Sequence, residues 1–299
     1  MADILTRAGC FIAIILLGMV LRRVGFFKQE DFYVLSKIVV KITLPAAIVK
    51  SFVGRELEPS MIILTLIGFG FGVLLIVLGV VMNLHKAPKD QAFAALNQSG
   101  CNISNFVLPF TQSFLGPVAL FDVGNAFICL GGSYSIAAMI QDRSGGISPK
   151  KLFVSFGKSV PLMTYIIMTV LSALKIQLPN PVVEFTGIIA NANAFMAMLM
   201  IGVGFRLSGS REQLGDIVRI IGVRYAAGFA LALLGWFLLP FPLEYRQALV
   251  MCTLAPIAST APAFTAELKG DFGLSSAVNS ISILISIGLI TGSLLLILV

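Results

Sequence analysis

Apolar residues run through this 299-residue chain in blocks of about twenty, and polar residues gather between the blocks. Turn and charge punctuation marks ten such blocks, at about 4–21, 34–52, 59–82, 91–112, 117–140, 152–173, 181–205, 214–239, 245–266 and 273–298. A helix needs about 20 apolar residues to cross the hydrocarbon of a bilayer. In lipid each backbone N–H and C=O must be satisfied inside the protein, and a helix does this within its own segment. The pattern therefore predicts an all-α membrane protein with ten spanning helices. The connections, such as "GRELEP", "NLHKAPKD" and "KIQLPNP", are too short to hold a soluble domain.

Two blocks depart from the pattern. "NQSGCNISNFVLPF" (97–110) packs three Asn, one Gln and two Ser ahead of Pro109, and "APIASTAPAF" (255–264) sets Ser259 and Thr260 between Pro256 and Pro262. A proline removes one helical hydrogen bond and clashes with the preceding turn. These stretches predict breaks from Ser99 to Pro109 in block 4 and between Pro256 and Pro262 in block 9. A half-helix that starts at mid-membrane offers free N–H groups and the positive end of its dipole, which suits an anion. On that reading Asn102, Ser104, Asn105, Pro109, Pro256, Ser259, Thr260 and Pro262 are candidate substrate-binding residues. The plainer alternative is a pair of kinked helices whose side chains only repair their own backbone. The sequons "NQS" and "NIS" lie at membrane depth, out of reach of a glycosyltransferase.

The two broken blocks also echo one another. "QAFAALNQSGCNISNFVLPFTQSFLG" aligns with "QALVMCTLAPIASTAPAFTAELKG" through Gln91-Ala92 and Gln247-Ala248, Phe110-Thr111 and Phe264-Thr265, and Gly116 and Gly270. Each is the fourth block of its set of five. Five spans per half place the second half upside down, so the expected organisation is a first five-helix repeat at 1–140, a cytoplasmic linker at 141–151 and a second, inverted repeat at 152–299. Inverted-repeat transporters interrupt helices at such corresponding positions.

Composition sharpens the picture. Hydrophobic residues make up 58% and charged residues 12%, with mean hydropathy +0.98, against about 25% charged in soluble domains. The net charge of +7 comes from basic residues set singly or in pairs at block ends, with no aromatic-interleaved stripe, so nucleic-acid binding is not expected. Eleven Lys and Arg fall in the odd-numbered connections against five in the even ones and the termini. This places the odd connections in the cytoplasm and both termini outside it, in the inner (cytoplasmic) membrane. Cys10, Cys101, Cys129 and Cys252 lie in apolar blocks without metal or disulfide spacing and read as buried thiols. The first block ends at Arg22-Arg23 without a small-residue cleavage site and reads as a retained span.

Ionisable groups inside a span are functional candidates. Asp122 has two roles open to it, carrying a coupling proton or holding the break of block 4 by hydrogen bonds, with Asn125 a turn away as its partner. Lys37 and Lys41 share one face of block 2; Lys37 reads as snorkelling, and Lys41 either meets a substrate carboxylate, snorkels or forms an ion pair. Asn191 and Asn193 face opposite sides of block 7, so one at most meets a cavity, and Asn193 is the candidate. Glu184 reads as a rim residue, and Arg219 and Arg224, near the inner end of block 8, as snorkelling cations. The glycine runs "GFGFG" and "GVG" read as close helix packing rather than phosphate cradles. An enzyme would need clustered acids or a His, Ser or Cys constellation. Here the one His, His85, is in a loop and the acids are dispersed, so neither catalysis nor a metal or other cofactor is expected. The absence of a nucleotide-binding loop argues against a primary pump.

The stretches "VLSKIVVKITLPAAIVKSF" (34–52), "CNISNFVLPF" (101–110), "LFDVGNAFICLGG" (120–132) and "APIASTAPAF" give the chain its likeness to a known family. It resembles the auxin efflux carriers, which include the plant PIN exporters and many bacterial carriers, and is closest in type to the bacterial members. The resemblance implies two inverted five-helix repeats with helices 4 and 9 crossing at their breaks, an architecture similar to bile-acid symporters and sodium/proton antiporters. It implies a scaffold of helices 1, 2, 6 and 7, a moving domain of helices 3–5 and 8–10, and carboxylate-bearing organic anions as substrates. It assigns Asn102 and Pro109 to one crossover, Pro256 and Pro262 to the other, and Pro45 to helix 2. Ser104, Asn105 and Val107 replace the Gly-rich steps of family members, and Lys41 stands where an uncharged or amide residue is common, so the substrate is not inherited from auxin carriers. The expected function is a secondary carrier of small organic anions working by alternating access. Proton or sodium coupling of the bile-acid-symporter kind and an anion channel are the alternatives, and a homodimer is left open.

Overall fold

The computed structural model describes residues 2–28, 30–54, 59–111, 117–142, 157, 159–205 and 213–297, and within them every extended element is helical. The first helix, α1 (Ala2–Arg23), is followed by Gly25, whose φ of +82° suits a residue without a Cβ. Next come α2 (Asp31–Phe52) and α3 (Pro59–Val81). Block 4 is split into α4 (Pro88–Ser99) and the short α5 (Leu108–Thr111). Block 5 is α6 (Val118–Gln141), and α7 (Val160–Ala173) is the described part of block 6. The long helices α8 (Asn180–Gly204) and α9 (Leu214–Leu238) follow. Block 9 is split into α10 (Leu243–Thr253) and α11 (Ala261–Glu267), and α12 (Phe272–Ile297) closes the described chain. The expected linker lies outside the described residues from 143 onward.

Among the described residues six helices, α2, α3, α6, α8, α9 and α12, are long and apolar enough to cross a membrane. By length and composition the chain is a multi-pass helical membrane protein. Its outer surface fits lipid rather than water: Ile188, Phe237 and Leu238 are each more than 70% exposed.

The break in block 4 is shorter than its sequence suggests. Only Gly100 to Asn102 are unwound, and Pro109 stands inside α5. A wide turn at Ile103–Val107 precedes it, closed by the Leu108 N–H bonding the Ile103 carbonyl five residues back. Such a turn absorbs the proline, whose ring needs room and which has no N–H to pair. The same device precedes Pro45: Val39–Thr43 is a wide turn closed by Leu44 N–H on the Val39 carbonyl.

The helices pack in two groups. One comprises α1, α2, α7 and α8, and the other α3, α4 and α6 together with α9 to α12. Small residues set the closest crossings. A Cβ on Gly202 of α8 would lie 2.1 Å from the Ile15 carbonyl oxygen of α1, and one on Gly124 of α6 would lie 1.9 Å from that of Thr65 in α3. Backbones in membrane proteins approach this closely only where a side chain is missing.

Candidate functional site

The two interrupted segments meet at their breaks. Cys101 and Ile257 face each other in an antiparallel bridge, flanked by Asn102 N–H donating to the Pro256 carbonyl at 2.8 Å and Ala258 N–H to the Gly100 carbonyl at 3.0 Å. Unwound backbone away from water must find partners for every polar group. The two central residues find theirs on the helix that comes after each broken block. Asn125 of α6 accepts from Cys101 N–H at 3.0 Å and donates to its carbonyl at 2.8 Å. On the other side, Ser282 of α12 accepts from Ile257 N–H at 3.0 Å, and Asn279 donates to the Ile257 carbonyl at 3.0 Å. Each break is thus served by an Asn on the next helix, one turn away from Asp122 in α6 and from Ser282 in α12.

Arg224 of α9 completes the junction. It is fully buried and donates to the Gln98 carbonyl at 2.8 Å, to the Ala255 and Pro256 carbonyls at 3.0 and 3.1 Å, and to Cys101 Sγ at 3.2 Å. The snorkelling role expected of it is therefore corrected. Its neighbour in that reading, Arg219, is half-buried and pairs with Asp216 at 2.8 Å and Asn83 at 2.7 Å. Arg224 lies ten residues into α9, about 15 Å along the axis, half of a hydrocarbon core of about 30 Å. That depth, legible in the sequence, was the available signal.

Asp122 is also fully buried and has three donors: the Ser104 hydroxyl, the Tyr165 hydroxyl at 2.6 Å and the Asn125 amide at 2.7 Å. An ionised carboxylate only accepts, and its two oxygens accommodate all three. Ser104 belongs to the wide turn after the first break, and Tyr165 reaches across from α7 in the other helix group. Sequence reading passed over Tyr165, whose signal is a phenol in the apolar run "PLMTYIIMTVL".

A small cavity lies beside the bridge. Asn102, Ser104, Asn105, Asp122, Asn125, Ser259 and Thr260 line it, with Val40 and Leu44 of α2 opposite. Room for water centres amounts to about 20 Å³, enough for roughly one water. Two buried atoms at this cavity lack a hydrogen-bond partner, the Asn102 Nδ2 donor and the Asn105 Oδ1 acceptor. The Asn105 amide nitrogen donates to Ser259 Oγ at 3.3 Å, and Thr260 Oγ1 donates to the Cys129 carbonyl at 3.1 Å. Ser259 also borders a second cavity, which runs past Pro262 and Asn279 to Arg22 and Phe32 at the ends of α1 and α2.

Seven of the sequence-derived candidates thus share one cavity. Pro256 contributes a carbonyl to the bridge, Pro262 lines the second cavity and Pro109 stands a turn beyond Asn105 in α5. Lys41 and Asn193 are not brought to it. Lys41 is exposed on the wide turn of α2, whose Val40 borders the cavity instead. Asn193 is buried and accepts from Thr43 Oγ1 at 2.9 Å, which ties α8 to α2, while Asn191 is exposed and accepts from Lys50 at 2.7 Å. Among the described residues no three His, Cys, Asp or Glu side chains are grouped to hold a metal ion. Comparison with protein-family models finds no match, and comparison with curated proteins finds none either.

Proposed function

We propose that the protein is a secondary carrier that moves a small organic anion, a carboxylate by preference, across the membrane by alternating access, with the anion seated at the junction of the two breaks. The observation that carries this reading is the pair of unpartnered buried amide atoms, Asn102 Nδ2 and Asn105 Oδ1, beside two interrupted helices joined at their breaks. A buried donor or acceptor left unmade costs about 1–3 kcal/mol. A ligand with oxygens to accept and a hydroxyl or acid proton to give would satisfy both. The first residues of the half-helix beginning at Ile103 line the same cavity, and its positive end favours negative charge.

The matched service of Cys101 by Asn125 and of Ile257 by Asn279 and Ser282 supports two inverted five-helix repeats, ten spans in all. The likeness to auxin efflux carriers points the same way. The packing of α1, α2, α7 and α8 against the remaining helices supports a scaffold and a moving part. Room for about one water means that the anion enters only when these two groups separate, as alternating access requires.

Asp122 borders the cavity, and an ionised carboxylate there repels a bound anion. The repulsion vanishes when Asp122 holds a proton, so anion and proton travel together in this reading. Both termini lie outside the cytoplasm. The test is reconstitution into vesicles and counterflow with labelled dicarboxylates and aromatic acids, chosen by their ability to raise the melting temperature. Saturable uptake accelerated by unlabelled anion on the far side is the expected result. Flux that rises linearly with concentration and shows no exchange would point to a channel and sink the proposal.

A further inference from the structure

We infer that the Arg224 guanidinium fills the cation seat of the junction, so that the transport proposed above, on which this rests, runs without sodium. In carriers built on broken helices, unwound carbonyls and half-helix C-terminal ends are where a coupling sodium binds. Here those groups are the carbonyls of Gln98, near the end of α4, and of Ala255 and Pro256, just past the end of α10. All three accept from Arg224 at 2.8 to 3.1 Å.

The charges match as well. Each helix C-terminus carries roughly half a negative charge, so two of them call for about one positive charge, and the fully buried guanidinium supplies it. Its planar fork reaches carbonyls on both segments at once, which a compact ion reaches only by drawing them closer. A guanidinium is covalently held and never deprotonated in a protein, so this seat cannot empty during a transport cycle. Asp122, with the Tyr165 hydroxyl and the Cys101 and Cys129 thiols around it, then remains as the carboxyl of the junction, and the proton as the ion that can be exchanged there.

The test compares melting temperatures of the purified protein in sodium chloride and in choline chloride at equal ionic strength. The wild type should melt at the same temperature in both. Arg224→Ala opens an oxygen-lined seat, so it should melt several degrees lower in choline and recover part of the loss in sodium or millimolar methylguanidinium. Arg224→Lys keeps a cation in place and should remain indifferent to sodium even if the Ala variant does not fold. Sodium-specific stabilisation of the wild type or of Arg224→Lys would overturn the inference, as would an Ala variant recovered by neither cation. Failure of every organic anion to exchange would sink the carrier reading without touching these melting data.

Discussion

Asn125 holds both backbone groups of Cys101, accepting from the N–H at 3.0 Å and donating to the carbonyl at 2.8 Å. One side chain amide does for an unwound residue what a neighbouring strand does in a sheet. Asn125→Ala strips both partners away, and each orphaned buried group costs about 1–3 kcal/mol. The variant is expected to melt several degrees below the wild type. Asn125→Asp should be no better, because it restores only the acceptor and sets a second carboxylate against Asp122.

Asp122→Asn separates the proton from the fold. The amide keeps an acceptor for Ser104 or Tyr165, both of which can rotate to accept in turn, so a cooperative thermal transition is expected to remain. In vesicles, anion uptake driven by an acid-outside pH gradient should be abolished while anion exchange persists. Gradient-driven accumulation equal to wild type would remove Asp122 from coupling.

Asn102→Ala tests the unpartnered donor. In the free protein Nδ2 is buried without a partner, so its removal should leave the melting temperature unchanged or slightly raised. Anion affinity, by contrast, should fall about tenfold, the loss of roughly 1.4 kcal/mol. Parallel losses of stability and affinity would mark Asn102 as structural.

Lys41→Ala provides the contrasting case. The side chain is exposed and does not line the cavity. Anion affinity measured by thermal shift is expected to stay within twofold of wild type.

Gly124→Ala probes the packing that positions Asp122 and Asn125. Its Cβ would meet the Thr65 carbonyl oxygen at 1.9 Å, and overpacking of this kind costs about 1–3 kcal/mol. A lower melting temperature is expected, measurable before any transport assay.

The apolar blocks and the two breaks were legible because they depend on local sequence: lipid demands helices, and Asn, Ser and Pro mark where helices fail. The extent of the first break was not. Pro109 reads as its end, yet the wide turn at Ile103–Val107 accommodates the proline inside the resumed helix. Wide turns also defeat face assignments, since one added residue rotates everything that follows by about 100°. Lys41 stands in such a turn and is exposed, while Val40 and Leu44 border the cavity; Asn193, on the unbroken α8, is instead taken up by Thr43 of α2. The depth of Arg224 was legible, but what it binds there was not. Its partners are carbonyls of Gln98, Ala255 and Pro256, and backbone oxygens carry no signature in a sequence.

The bond from the Tyr165 hydroxyl to Asp122 joins α7 to α6, beside the two breaks, at 2.6 Å. A hydrogen bond is lost when its partners part by about an ångström, so any sliding of one bundle past the other is felt at this phenol before a passage wide enough for solute has opened. The carboxyl would then have two surroundings, one with the phenol and one without it. The orientation of the molecule and the ease with which its acid gives up a proton become two readings of a single contact.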